Sequence, residues 1–166
     1  MAVRNAYIES NVAAGKKANA AFNDGQPEIT MIATFETLAA DDAGSIYRLF
    51  KNLPPNLIPV DIKIMCDAIA GATDIDLGFY EPLEAGGAVI DKDVLMASAD
   101  IAAGQARGSE ENGLQSVNVA DVQKNIAELC GHTLITRKAG YDLALTADSE
   151  ITAAGTISVI AKFVQG

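Results

Sequence analysis

Residues 45–80 read SIYRLFKNLPPNLIPVDIKIMCDAIAGATDIDLGFY. Three runs in this stretch predict strands: 45–50, 58–66 and 73–80. Pro54-Pro55 and Ala70-Gly71 separate them. In the second run Ile58, Val60, Ile62, Ile64 and Cys66 share one face. Asp61, Lys63 and Asp67 share the other, interrupted by Met65. In the third, Ile75, Leu77 and Phe79 oppose Asp74, Asp76, Gly78 and Tyr80. Alternation at period two marks a half-buried strand. One face is expected to feed a core and the other to meet water, as in antiparallel sheets.

The same pattern extends outward. Over 28–38, Ile29, Met31, Ala33 and Phe35 alternate with Thr30, Ile32, Thr34 and Glu36. The turn at 39–44, with Asp41-Asp42, predicts a hairpin from this strand into 45–50. Toward the C-terminus, 141–146 places Tyr141, Leu143 and Leu145 on one face. Ile157, Val159, Ala161 and Phe163 do the same over 155–164, where Ile160 and Val164 imply some cover on the opposite face too. Short strands are expected at 88–90 and 94–96, around Asp91-Lys92-Asp93, and at 133–136. The Gly-rich, charged stretch 103–112 reads as an exposed excursion. Residues 119–130 form the one expected helix, with Asn118 as N-cap and Gly131 as C′ residue. Seven or eight strands with one short helix predict an all-β, antiparallel β-sandwich. An immunoglobulin-like sandwich is an alternative topology, although the core Trp and paired cysteines of antibody-type domains are absent.

A chain of 166 residues implies one domain, here 26–166, preceded by an extended N-terminal arm, 1–25. A chain of this size buries roughly 70% of the surface it exposes when unfolded. Its net charge is −10, which disfavours general nucleic-acid binding. No run reaches the ~18 apolar residues of a membrane span, and no secretory signal is visible, so synthesis in the cytoplasm is expected. Cys66 reads as a small core hydrophobe, and a bridge to Cys130 is not expected.

The charge is uneven. Residues 1–23 carry Arg4, Lys16 and Lys17 against Glu9, a net of +2 on an acidic body. Tyr7, Ile8, Val12 and Phe22 add apolar anchors. They pack either on the chain's own body or on a neighbouring molecule. Arg4, Tyr7, Ile8, Val12, Lys16, Lys17 and Phe22 are therefore the candidate partner interface.

Catalytic residues are not evident. His132 is the only histidine, beside a helix C-terminus that suits a cation, and no Gly-x-Ser-x-Gly elbow is present. Asp67, Asp74 and Asp76 form an acidic group that in other settings binds Ca²⁺ or serves as a glycosidase pair. Acidic pairs recur along this chain, at Asp41-Asp42, Asp91/Asp93 and Glu110-Glu111, and a solvated strand face explains this one equally well. No metal or cofactor is expected.

Several stretches resemble a family of tailed-bacteriophage proteins encoded near the major capsid protein. They are Met1-Ala2-Val3-Arg4-Asn5 and Ser10-Asn11-Val12-Ala13-Ala14-Gly15-Lys16; Gly44-Ser45-Ile46-Tyr47-Arg48-Leu49-Phe50; and Ile62-Lys63 followed by Thr73-Asp74-Ile75-Asp76-Leu77-Gly78-Phe79-Tyr80. Tyr141-Asp142-Leu143-Ala144-Leu145-Thr146 and Ala154-Gly155-Thr156-Ile157-Ser158-Val159 complete the set. The resemblance implies a capsid decoration, or cement, protein of jelly-roll fold. Such a protein binds the outside of the phage capsid and braces neighbouring major capsid protein subunits. It implies no catalytic residues. The expected partners are the major capsid protein and the chain itself, as a homo-oligomer with a dimer favoured over a trimer. A tail or baseplate accessory domain is the second reading, and a carbohydrate-active sandwich enzyme the third.

Overall fold

A computed structural model describes residues 3–5 (backbone), 28–133 and 140–166. The strands are β1 (Val3–Asn5), β2 (Ile29–Thr37), β3 (Ser45–Leu53), β4 (Leu57–Cys66), β5 (Ile75–Tyr80), β6 (Val89–Ala99), β7 (Glu111–Asn112), β8 (Tyr141–Ala147) and β9 (Gly155–Gln165). They form two sheets, which we call A, in the order β1-β3-β8-β5-β6, and B, in the order β2-β9-β4-β7. Neighbours run antiparallel except β1, which lies parallel to β3. The expected all-β sandwich is what forms.

The core lies between the sheets. Met31, Ala33, Phe35, Ile62, Ile64, Ile157, Val159, Ala161 and Phe163 come from sheet B. Tyr47, Ile75, Leu77, Phe79, Leu95, Tyr141, Leu143 and Leu145 come from sheet A. Phe35 stacks on Tyr47 across the sandwich at 5.0 Å between ring centroids. Such aromatic pairs add to the stabilisation from buried area alone.

The hairpin expected between β2 and β3 does not form. β2 pairs with β9 and β3 with β8, so the 38–44 connection crosses from one sheet to the other. The turn is anchored on a distant segment. Ala40 N–H donates to the Ile151 carbonyl and Ile151 N–H to that of Asp41. Asp41, itself buried, accepts from Leu38 N–H at 3.0 Å and from the Tyr47 hydroxyl at 2.8 Å. Those bonds satisfy a turn that has no partner strand beside it.

The helix expected over 119–130 is also corrected. Asn118 caps only a 3-10 turn, Val119–Asp121. A second cap, Asn125, starts a separate α1, Ile126–Leu129, through a capping box with Glu128. Two Asn side chains that bond to the backbone divide the segment, since such residues compete with a continuing helix. The two short strands expected around Asp91-Lys92-Asp93 are one strand, β6, with several register shifts. The 103–112 stretch is not wholly exposed. Gln105 bridges to Cys66, and β7 pairs with Lys63 and Ile64 of β4.

Within β4 the predicted face holds only from Ile62 onward. A bulge between Pro59 and Asp61 absorbs Val60 and inverts the phase. Leu57, rather than Ile58, then faces the core, and Val60 is 44% exposed.

Candidate functional site

Among the described residues, the outer face of sheet A holds three of the four buried charged side chains, Arg48, Asp76 and Asp142. The sequence predicts that Asp76, Gly78 and Tyr80 meet water, yet every residue of β5 and of β8 is buried. The cover comes from β6 and the 81–88 connection. A Cβ at Gly78 would lie 2.1 Å from the Asp91 carbonyl oxygen, so only glycine lets β6 cross there.

Arg48 enters this face from β3 and is 1% exposed. Its Nη1 donates to Asp142 Oδ2 at 2.7 Å and to the Glu81 carbonyl at 2.8 Å. Its Nη2 donates to the Gly87 carbonyl at 2.6 Å. The guanidinium also lies 5.2 Å from the Tyr80 ring centroid. Asp142 in turn accepts from Asn52 N–H at 2.8 Å, where β3 bulges and Asn52 takes a positive φ of 54°. One ion pair thus fixes a strained bulge and fastens the covering loop to the sheet.

A second cluster lies toward the other end of β5. Asp74, Asp76 and Asp148 bring carboxylate oxygens within 4.8 Å of one another. The Lys92 ammonium contacts Asp148 and lies 3.0 Å from Asp76. Asp76 Oδ1 also accepts from Ser98 N–H at 2.8 Å. Burial pushes the Asp76 carboxyl up, against the lowering effect of Ser98 N–H and Lys92. The carboxylates, Asp148 first, push the Lys92 amine up despite its partial burial. The lysine supplies a positive charge to Asp76 and Asp148, while the buried Asp74 Oδ1 has no hydrogen-bond partner. Asp67 is not part of it, and instead accepts from Thr156 N–H at 3.1 Å.

His132 is half-buried, and its Nδ1 lies 2.9 Å from the Tyr141 hydroxyl. Cys66 and Cys130 are free thiols. Burial pushes the Cys66 thiol up, away from the reactive thiolate. It borders an open groove with Asp67, Gln105, Arg107 and Thr156, formed where the 105–107 segment crosses the end of β4. No nucleophile–base pair stands in that groove among the described residues.

Of the predicted interface, Arg4 belongs to β1 and pairs in register with Tyr47. Tyr7, Ile8, Val12, Lys16, Lys17 and Phe22 lie outside the described residues, as does most of the strand expected at 133–136. The sequence reading missed Arg48 and Asp142. The signal was one cation inside the apolar run Tyr47-Arg48-Leu49-Phe50, since an arginine in a buried strand requires a carboxylate partner.

No family model matches this chain. No curated protein matches it either. Among solved structures it is similar to a chain described as "Cyanophage Pam1 capsid asymmetric unit". The TM-score is 0.54 at 14% identity, covering 95% of this chain and 99% of that one. At that identity the likeness is one of fold, over nearly the whole length of both chains.

Proposed function

We propose that this chain is a structural virion protein, a decoration protein that binds the outside of a phage capsid and braces neighbouring major capsid protein subunits. The observation that carries this reading is the end-to-end fold likeness to a chain from a phage capsid asymmetric unit. The strand orders support it. Leaving β1 aside, 3-8-5-6 facing 2-9-4-7 alternates between sheets as a jelly roll does. The polar groups support a non-enzymatic role: Lys92 pairs with Asp76 and Asp148 of the acidic cluster, and His132 is engaged by Tyr141.

In this reading the chain is made in the host cytoplasm and ends on the capsid exterior, as a homo-oligomer with a dimer favoured. Residues 6–23, with Tyr7, Ile8, Val12, Lys16, Lys17 and Phe22, supply contacts to the shell. The test is cosedimentation with undecorated shells. Wild-type protein is expected to saturate at hundreds of copies per shell. Replacing residues 6–23 by a glycine-serine segment of equal length is expected to keep the melting profile and lower occupancy. A handful of copies per particle would favour the tail or baseplate reading, and no binding would overturn both. Occupancy unchanged by the replacement would remove the segment from the interface.

A further inference from the structure

We infer that β2 is the self-association surface, pairing antiparallel with β2 of a second copy to join two B sheets into one. This rests on the self-association part of the reading above and not on capsid binding.

Four strands end the sheets, and three of those edges are blunted. β1 spans Val3–Asn5 only. β6 is irregular in register and carries Asp91, Lys92 and Asp93. β7 spans two residues. Short, bulged and charged edges are the usual defences against strand addition. β2 has none of them. It runs nine residues in unbroken register with β9, without proline, with Glu36 as its one charge. Among the described residues no strand pairs with its outer side. Ile32, on its outer face, is 57% exposed.

Full overlap gives the longest pairing of this edge with a second copy. Full overlap of Ile29–Thr37 with itself places Ala33 on the two-fold axis. Even register keeps core-facing residues opposite core-facing residues. Met31 then meets Phe35 of the second copy, and Ile32 meets Thr34. Glu36 meets Thr30, whose neighbour on the inner side is Lys162. Opposite charges thus stand two strands apart, about 9.6 Å, on one face, with Lys162 also 3.4 Å from Glu28 and Glu36 accepting from the Thr156 hydroxyl at 2.6 Å. A shift that centred the pair on Ile32 would instead set Glu28 against Glu36. Like charges directly opposed are destabilising, and a shift centred on Thr34 would pair only residues 31–37, so full overlap is the favoured register.

The test is sedimentation equilibrium of the full chain without shells, over a concentration series. Wild type is expected to be a dimer in reversible exchange with monomer. I32K/T34K sets lysine against lysine twice across the axis and is expected to raise the dissociation constant roughly tenfold or more. I32K/T34E sets lysine against glutamate in the same places and is expected to recover most of that loss. Residues 32 and 34 are exposed, so both variants are expected to melt close to wild type. A wild-type monomer, or a dimer indifferent to both variants, would overturn the proposal. Hydrogen exchange on the wild type is the second measurement. Protection of β2 amides that rises with protein concentration supports the proposal. Protection independent of concentration overturns it, because the chain then covers its own edge. Shell binding enters neither measurement, so failure here leaves the capsid reading standing.

Discussion

Sheets A and B carry the same kind of alternating sequence and use it differently. In β2 the residues between core positions, Ile32, Thr34 and Glu36, are exposed. In β5 the corresponding residues, Asp76, Gly78 and Tyr80, are buried. The pattern D-I-D-L-G-F-Y looks like a strand with one wet face. Its acid instead enters a polar layer roofed by β6 and the 81–88 connection. Alternation therefore reports which residues share a face, and not whether polar residues on the other face meet water or each other. The cost of the second arrangement is that every charge needs a partner inside.

The largest expected effects fall where the sheets agree. Ile62 in sheet B and Leu77 in sheet A are both fully buried between the layers. Ile62→Asp and Leu77→Asp each place an unpaired charge in that core and are expected to prevent folding. Loss of a cooperative melt in circular dichroism is the readout. A folded variant of near wild-type stability would mean that its strand is one residue out of register.

Next comes the contrast itself. Arg48→Met removes the cation from a pair whose side chains are 1% and 0% exposed, and is expected to cost about 3–5 kcal/mol in urea unfolding. Lys63→Met, on the exposed face of β4, is expected to stay within about 0.5 kcal/mol of wild type. Equal losses would mean that the outer face of sheet A is no more buried than that of sheet B.

The smallest effect depends on pH. The folded-state value of Lys92 is raised, chiefly by the Asp148 carboxylate. Its stabilising contribution is complete below the usual lysine range and is lost as pH rises through the folded value. Burial raises Asp76, so its ionised form costs stability, and that cost disappears as pH falls through its folded value. Lys92→Met is therefore expected to be most destabilising near neutrality. The gap to wild type is expected to narrow toward about pH 4 and again in strong alkali. Thermal melts of both proteins across that range check it, and a gap constant with pH would separate Lys92 from the carboxylates.

Much of the fold was legible because side-chain spacing is local. The core faces of β2, β5, β8 and β9 follow from their sequences. Strand partners did not follow. Nothing near Asp41 announces that its turn is held by Ile151, more than a hundred positions away. The bulge at Val60 was hidden because Ile58, Val60 and Ile62 alternate without a break in the sequence. The division of 119–130 at Asn125 was legible in principle, since Asn125 and Glu128 have capping-box spacing. The Arg48–Asp142 pair joins residues that only the β3–β8 pairing brings together.

The parallel pairing of Val3–Asn5 with β3 changes what the following segment is. One end is sewn to sheet A and the other enters sheet B at Ile29. Val3–Asn5 and Ile29 are therefore anchors on different sheets, and folding of the sandwich closes a loop between them. Closure of such a segment depends only weakly on its length, each doubling adding about 0.6 kcal/mol. Insertions between these two anchors are expected to leave the sandwich nearly as stable, and thermal melts check it. The length of chain between the two anchors is thus a quantity that can be altered without reworking either sheet.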